Sequence, residues 1–347
     1  MTNREKIELH KTWWRRENNA PLQAHFAPIQ LPFGGLDISV PVKEIGPRKQ
    51  ANAVVQATVA QDLLVVARVD FGPAFLPALA GAGFQHDGHT SWNIPIAERC
   101  ADVTIPDFTP DNPLWIAYTE RREQMLAHWS WEGYLPGHAS NVGPLDIVAG
   151  LLGPENLALE MYEDPAGVLE LALAAADLLA AVMREDLAAL RARGPADGTT
   201  ELYSIWLPGN GVRFVEDFTA LIGPKQTREF VLLASRRATH GFDSILYHTH
   251  SAAWRNLPIM AEIGGNVAIE FGTDPGGPDL ATRIVAARQV QELGLPLQYG
   301  SWNHRLSDVE IDQVVAGLDP RGLILRFQTE SCAEAAKLYD RIASKGE

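Results

Sequence analysis

The sequence contains little cysteine, and this limits the kinds of site that it can build. Cys100 and Cys332 are the two cysteines among 347 residues, so no CxxC or CxxxC spacing exists. A thiolate-rich zinc site is therefore excluded. The two residues could form one disulfide, but we expect reduced thiols in a chain of this size.

Positive charge and long apolar runs are scarce as well. The 29 Lys and Arg residues stand against 43 Asp and Glu residues, which gives a formal net charge of −14. Nonspecific binding to nucleic acid or to an anionic membrane is therefore not expected. Residues 1–6 lack the apolar segment of a signal peptide. The most apolar stretch, 169–183 within a predicted helix over 165–193, is interrupted by Asp177 and is too short to span a bilayer. We expect a cytoplasmic protein without nucleic-acid or membrane partners.

Short apolar runs alternate with helical patterns, most clearly after residue 200. Strands are predicted at 199–207, 245–250, 266–270, 296–300 and 323–327. This order predicts parallel strands with right-handed crossovers. Less regular runs at 22–26, 63–69 and 127–131 bring the number of strands to eight, as in a (β/α)8 TIM barrel. We expect a single α/β barrel domain over 1–347, in which 1–20 form an N-terminal helical extension.

Two histidines at the end of one predicted strand are the main candidates for a functional site. His248 and His250 are one residue apart, so they point to the same face of the strand. Such a pair can bind one divalent ion, most typically zinc, although hydrogen-bonded or acid–base histidines fit the same pattern. Glu270 ends the next predicted strand, about 4.8 Å away, and is the candidate third ligand. The alternative for Glu270 is a salt bridge to Arg255 or Arg283.

Polar and aromatic residues near the other predicted strand ends are further candidates, because the carboxyl ends of the strands carry the active site in such barrels. Asp70 closes the second strand and Glu132 follows the third, so either is a candidate for proton transfer. Asp70 equally fits a role in capping the following turn. The candidate substrate-binding residues are Trp129, Trp131, His138, Tyr203 and Trp206. Core packing is the alternative for each aromatic residue, and a structural role is the alternative for His138.

Four stretches, in order along the chain, resemble the uroporphyrinogen decarboxylase superfamily. The first runs over 143–165 and ends with Tyr162-Glu163-Asp164-Pro165, and the second runs over 216–231. The third, 246–251, is similar to a strand end of the family with the pattern LHxCG, and the fourth is 319–323. The resemblance covers residues from about 60 to 345. It implies a distorted β/α barrel, in agreement with the strand count, and a homodimer.

The chain also departs from that family at two places. The N-terminal MRQAGR segment of true uroporphyrinogen decarboxylases, which binds the substrate carboxylates, is absent from 13–22 (WWRRENNAPL). The resemblance therefore points to the methyltransferase branch, whose members bind zinc through a His-x-Cys motif and a distant Cys and serve corrinoid proteins and coenzyme M. Here His250 follows His248 where that motif has its thiolate, and Cys332 is not carried over as a ligand. An oxygen donor such as Glu270 would complete a harder, more Lewis-acidic site.

Three hypotheses follow. The first is an enzyme of metal-assisted methyl or alkyl transfer on a small molecule, in which His248, His250 and Glu270 hold the ion and Asp70 or Glu132 handles protons. The second is a metal-free decarboxylase or lyase, in which Arg15, Arg16 or Arg68 binds a carboxylate and His248 or Asp70 protonates the carbanion. The third is a non-catalytic partner subunit of a protein that carries a corrinoid.

Overall fold

Six parallel strands form the main sheet of the structure, a computed structural model that describes residues 1–195, 197–274, 276–300 and 303–344. The order in the sheet is β1-β12-β11-β10-β9-β8. Three two-stranded sheets accompany it: β2 with β5 in parallel, and the antiparallel pairs β3–β4 and β6–β7. The strands are β1 (Leu22–Phe26), β2 (Val66–Ala67), β3 (Gly83–His86), β4 (Ser91–Ile94), β5 (Leu135–Pro136), β6 (Gly198–Thr200), β7 (Trp206–Pro208), β8 (Gly211–Val215), β9 (Ser244–His250), β10 (Val267–Gly272), β11 (Leu297–Gly300) and β12 (Leu323–Gln328).

Helices precede and follow most of these strands, so the described part of the chain is a mixed α/β fold. They are α1 (Asn3–Trp14), α2 (Ile45–Gln56), α3 (Phe75–Leu79), α4 (Pro113–His128), α5 (Pro144–Leu152), α6 (Pro154–Glu163), α7 (Pro165–Arg193), α8 (Pro224–Gln226), α9 (Leu232–Thr239), α10 (Leu257–Met260), α11 (Leu280–Glu292), α12 (Asp308–Gly317) and α13 (Cys332–Ala343). A π-helical turn, Thr227–Val231, joins α8 to α9.

The predicted strands at 22–26, 245–250, 266–270, 296–300 and 323–327 are confirmed, within two residues, as β1, β9, β10, β11 and β12. The predicted strand at 127–131 is wrong, because α4 continues to His128. Asn112 caps this helix through the N–H of Leu114, and Pro113 occupies its first position. The run at 199–207 is two short antiparallel strands, and β8 was not predicted. The main sheet accordingly has six strands and not eight.

The two faces of the main sheet bury different side chains. On β9 and β10, Tyr247, Ile269 and Phe271 belong to the large core that includes the helices. The alternate residues, such as Leu246 and Ala268, belong to a second core with β1, β12 and α1. This division follows from the alternation of side chains along a strand. Polar side chains continue the second face toward the carboxyl ends of the strands.

Helix α1 covers the amino ends of the strands. The indole of Trp14 donates to the carbonyl oxygen of Trp206 at 2.8 Å, and that of Trp13 donates to the carbonyl oxygen of Leu297 at 3.4 Å. Thr2 and Glu5 form a capping box that starts the helix. The segment predicted as an N-terminal helical extension therefore closes one end of the second core.

Helix α7 is the predicted helix over 165–193, capped by Asp164. Its 29 residues are long enough and apolar enough to cross a membrane. The apolar stretch at 169–183, which is too short to do so, is only part of this helix. More than half (56%) of its most apolar window is buried inside the described part of the protein, where it packs against α5, α6 and α9. Core helices of soluble proteins meet the same criterion, so this helix is weak evidence for a membrane span.

Candidate metal centre

The carboxyl end of β9 presents two imidazoles on one face of the sheet. His248 and His250 follow Leu246 in the same alternation, and their rings meet edge to face with centroids 4.9 Å apart. His248 is buried, whereas the side chain of His250 is about one-third exposed. The register pairs His248 with Val215 of β8 and with Glu270 of β10. The residues that follow β8 are thereby brought beside both histidines.

Asp217 completes a cluster of three possible ligands. It lies two residues after β8, at the start of a 3₁₀ turn, Asp217–Ala220. Its Oδ1 is 3.1 Å from Nε2 of His250 and 3.7 Å from Nε2 of His248. One ligand atom from each of these three residues lies within 4.8 Å of the other two. Two imidazoles and a carboxylate form a donor set that suits zinc and other divalent transition metals.

The turn that carries Asp217 is fixed by a half-buried carboxylate. Asp146, in α5, accepts hydrogen bonds from the backbone N–H of Asp217 at 2.9 Å and of Phe218 at 2.8 Å. Burial, and next the charge of Asp217, raise the pKa of Asp146 to about 7. The position of Asp217 therefore depends on the contact between α5 and the segment after β8.

A second carboxylate lies behind each imidazole. Nδ1 of His250 is 2.9 Å from Oδ2 of Asp274, and Nδ1 of His248 is 3.3 Å from Oε2 of Glu270. Glu270 accepts hydrogen bonds from Nε of Arg213 at 2.6 Å and from Nη1 of Arg326 at 2.8 Å. The structure thus places Glu270 on the side of His248 that faces away from Asp217, with both carboxylate oxygens paired to arginines. The salt bridge suggested by the sequence exists, but its partners are Arg213 and Arg326 and not Arg255 or Arg283.

The two imidazoles differ in their protonation. Hydrogen bonds to Asp217 and Asp274 raise the pKa of His250 to about 10. Burial lowers the pKa of His248, and the nearby Glu270 opposes this effect without cancelling it. Burial alone would raise the pKa of Glu270, but the charges of Arg213 and its other neighbours hold that pKa well below its usual value. The cluster therefore combines ionised carboxylates with one neutral and one cationic imidazole.

Glu201 and Tyr203 pack against the two arginines that hold Glu270. Glu201 is fully buried, with Oε2 3.7 Å from Nε of Arg213, and burial raises its pKa to about 7. The ring of Tyr203 lies under two guanidinium groups, 4.7 Å from that of Arg213 and 4.2 Å from that of Arg326. Such contacts contribute roughly 0.5–2 kcal/mol each when desolvated. The groups behind the imidazoles are therefore held by several independent contacts.

A cavity of about 510 Å³ opens above these residues, and its walls include Asp217, His248, His250, Tyr203 and Arg213. This volume suits a small molecule. Arg68, which lines the same cavity, forms an ion pair with Asp70 at 2.9 Å and donates to the hydroxyl of Ser140. Asp70 also accepts the N–H of Gly72 at 2.8 Å, so it caps the following turn and faces the cavity at once.

His138 lines the same cavity, but both of its ring nitrogens are engaged. Nδ1 donates to the carbonyl oxygen of Ala139 at 2.8 Å, and Nε2 accepts the N–H of Arg213 at 3.0 Å. Burial lowers its pKa to about 4. The ring thus joins the loop after β5 to β8 as a neutral group. A substrate in the cavity can contact the edge of this ring, but neither ring nitrogen is free to bind it.

The other sequence candidates lie elsewhere. Trp131 and Glu132 line a separate cavity beside α1, and the indole of Trp129 donates to the carbonyl oxygen of Arg193 at 2.7 Å. Trp206 is buried in the core around α1, and its backbone N–H donates to Nδ1 of His10. The expectation that these four residues form one site with His248 is therefore not met. For Trp129, Trp131 and Glu132 its basis was the predicted strand at 127–131, which is the end of α4 and a loop.

Four residues in or beside the cluster were not predicted from the sequence as site residues: Arg213, Asp217, Asp274 and Arg326. Arg213 lies in β8 and Asp217 follows it. This strand, GVRFV, was not predicted because it comes directly after the turn residues Gly209 and Asn210 and carries a charge at its centre. Asp274 lies four residues after Glu270, beyond the end of β10. Its place just past the carboxyl end of a predicted strand could have marked it as a candidate site residue.

Comparison with known proteins gives a fold but no family. The sequence matches no family model and no curated protein. Among solved structures, a methyltransferase from Methanosarcina mazei is similar, with a TM-score of 0.66 and 10% sequence identity over 98% of each chain. The chain therefore has a methyltransferase-like fold over nearly its whole length. At this identity the likeness shows the fold alone.

Proposed function

We propose that this protein is an enzyme that binds one divalent metal ion through Asp217, His248 and His250 and transfers a methyl or alkyl group on a small molecule. The observation that carries the proposal is the convergence of these three side chains, within 4.8 Å of one another, on the wall of a cavity. Glu270, the third ligand expected from the sequence, is given another role, because both of its oxygens face arginines.

The charges around the cluster favour a bound cation. Three ionised carboxylates (Asp217, Glu270 and Asp274) stand against two guanidinium groups (Arg213 and Arg326), which leaves an excess of one negative charge when both imidazoles are neutral. A divalent ion offsets this excess. Zinc is the ion we favour, because neutral imidazole and carboxylate are among its usual ligands and three protein ligands leave a position open for substrate.

The chemistry that a divalent ion supplies here is Lewis acidity, which lowers the pKa of a thiol or hydroxyl group that reaches it. The residues of the chain would orient the substrate and exclude water. Arg68 lines the same cavity with guanidinium donors, and Asp70 lies beside it as an acceptor for a proton. The Tyr203 ring forms an apolar wall.

We further propose that the described strands close into a distorted β/α barrel. Support comes from contacts between the short strands and both edges of the main sheet. Gly137, just after β5, bridges in parallel to Thr200 of β6, and the hydroxyl of Thr199 donates to Gly211 of β8 at 2.6 Å. On the other side, the N–H of Asp62, before β2, donates to the carbonyl oxygen of Gln23 in β1 at 2.8 Å. A barrel of this kind carries its active site at the carboxyl ends of its strands, where the cluster lies.

Methyl transfer is favoured over decarboxylation because a protein of similar fold is a methyltransferase. A corrinoid carried by a partner protein remains our predicted source of the methyl group, and decarboxylation and a non-catalytic role remain the alternatives that the experiment must separate. A cytoplasmic location and a homodimer also stay predictions.

The first test is metal analysis of protein purified without a histidine tag. We expect about one equivalent of zinc, and an affinity at least about 100-fold lower in Asp217→Asn and His248→Ala. His89→Ala is the matched control, since His89 lines the same cavity outside the cluster. Less than about 0.2 equivalents, unchanged in His248→Ala, would contradict the proposal.

The second measurement uses methylcobalamin and 2-mercaptoethanol as minimal donor and acceptor. Formation of the methyl thioether by the zinc-loaded protein, lost in His248→Ala, supports methyl transfer. Release of carbon dioxide from a panel of small acids, without thioether formation, would establish a decarboxylase instead. Zinc binding without either reaction would favour the non-catalytic role.

A further inference from the structure

Each imidazole of the cluster stands between two carboxylates. Nε2 of both His248 and His250 faces Asp217, while Nδ1 of His248 is 3.3 Å from Glu270 and Nδ1 of His250 is 2.9 Å from Asp274. The arrangement is repeated on two histidines whose supporting carboxylates come from different segments, one inside β10 and the other after its end.

This repetition bears on which nitrogen is available to a metal ion. A neutral histidine carries its proton on one nitrogen and offers a lone pair from the other, and the hydrogen bond made by the first decides which is which. A carboxylate beside Nδ1 favours the proton there and leaves Nε2 as the donor atom. Both rings turn Nε2 toward Asp217, so a metal ion that displaces the Nε2 proton of His250 would meet both lone pairs beside that carboxylate.

The two supporting carboxylates are themselves held in place. Glu270 is 1% exposed and is fixed by Arg213 and Arg326, which belong to β8 and β12 on either side of it. Asp274 accepts the N–H of Ser251 at 3.2 Å, and its own N–H donates to the hydroxyl of Ser251 at 2.9 Å. A Cβ at Gly277 would overlap that hydroxyl, so glycine permits the close approach of the two segments.

We propose that Glu270 and Asp274 are positioning residues that hold His248 and His250 as Nδ1–H tautomers, so that both Nε2 atoms bind the same divalent ion. This inference rests on the metal site proposed above. Glu270 is therefore not a ligand but the anchor of one, and Arg213 and Arg326 set the position of His248 through it.

The first test is the affinity for Co²⁺, measured by competition with a chelator. Asp274→Ala and Glu270→Gln should each bind Co²⁺ about 10- to 100-fold more weakly than the wild type. Glu201→Gln is the control for Glu270, because Glu201 is equally buried and contacts Arg213 without approaching His248. Ser251→Ala is the control for Asp274, because it removes the hydroxyl contact while the backbone N–H at position 251 still donates to the carboxylate beside His250. Both controls should stay within about threefold of the wild type.

The second readout is the tautomer itself, observed by long-range ¹H–¹⁵N NMR of the zinc-loaded protein labelled at histidine. In the wild type, His248 and His250 should each show a protonated Nδ1 and an Nε2 shifted by the metal. Asp274→Ala should lose the protected Nδ1–H signal of His250 and keep that of His248, which a general loss of structure would not do. Because Glu270→Gln also disturbs two arginines, Asp274→Ala keeps the inference testable if Glu270→Gln fails to fold.

The outcomes separate this inference from the proposed function. Wild-type protein that binds Co²⁺ while both carboxylate variants bind it equally well overturns the positioning role and leaves the metal site standing. Metal bound through Nδ1 in the wild type overturns it as well. Failure of the wild type to bind Co²⁺ or zinc overturns both.

Discussion

The two ends of the main sheet use similar polar residues in opposite ways. At the amino ends, polar side chains are paired with backbone groups: Lys6 donates to the carbonyl oxygen of Leu63 at 2.6 Å, and His10 accepts the N–H of Trp206 at 2.9 Å. At the carboxyl ends, His248 and His250 face the carboxylates of other side chains. Backbone pairing occupies the ammonium group of Lys6 and Nδ1 of His10, so neither group is available to a ligand.

The electrostatic consequence differs in sign between the two ends. Burial lowers the pKa of His10 to about 3, so it stays neutral, whereas the carboxylates around His250 raise its pKa to about 10. Burial in the core at the amino ends thus favours the uncharged form of His10, whereas the carboxylates at the carboxyl ends favour a positive charge on His250. A histidine in a strand or helix can belong to either class, and its neighbours decide which. Three changes at the amino end test this division.

The largest effect is expected for Trp13→Ala. Trp13 is fully buried in the core around α1 and packs edge to face against Trp14 with ring centroids 5.0 Å apart. Removing its side chain should lower the free energy of unfolding by about 3–5 kcal/mol. Urea denaturation measures this change, with Trp13→Phe as the milder control. The Co²⁺ affinity of the folded protein should stay within about twofold of the wild type, and a larger loss would show that the two ends are coupled.

The sequence predicted the parts of this division that depend on local periodicity. Alternation along 245–250 placed His248 and His250 on one face, and the strand–helix order after residue 200 predicted parallel pairing, as β9 to β12 confirm. The resemblance to known barrels added the expectation of a functional site at the carboxyl ends of the strands. These features can be predicted because each depends on a few neighbouring residues.

The parts that were missed depend on contacts between distant segments. Glu270 satisfies the strand spacing expected for a ligand, but Arg213 and Arg326, 57 and 56 residues away, take its oxygens. Asp217 is beside the histidines because β8 pairs with β9, and no local pattern marks β8. His138 shows the same limit, because its place at the cavity does not reveal that the backbone of Arg213 already occupies its Nε2.

A smaller effect on the free energy of unfolding is expected when the pH is lowered. Below the ordinary value of about 6.5, unfolded chains bind a proton at His10, but the folded protein does not until about pH 3. The stability from neutral His10 is therefore complete above pH 6.5 and is lost as the pH falls. Between pH 6.5 and 5 this amounts to roughly 2 kcal/mol. Urea unfolding across this range should give a shallower dependence for His10→Asn, which keeps an acceptor for the N–H of Trp206.

The control is His86→Asn, since His86 is exposed and should leave the pH dependence as in the wild type. His25 and His138, whose pKa values burial lowers to about 4, contribute in the same direction to both proteins, so the comparison isolates His10. Equal slopes for the wild type and His10→Asn would mean that His10 is protonated in the folded state, and the backbone pairing at the amino end would need another explanation.

The smallest effect is expected for Trp131→Ala, which the sequence placed at the substrate. The guanidinium of Arg4 lies 3.8 Å from the centre of the Trp131 ring, in a cavity beside α1 that contains neither His248 nor His250. Losing this contact should cost about 1 kcal/mol of stability, measured by urea unfolding. Because the ring lies at the amino end, Co²⁺ affinity and the rate of thioether formation should be unchanged within error. A selective fall in either, with stability intact, would show that this end of the sheet also serves the reaction and would remove the division between the two ends.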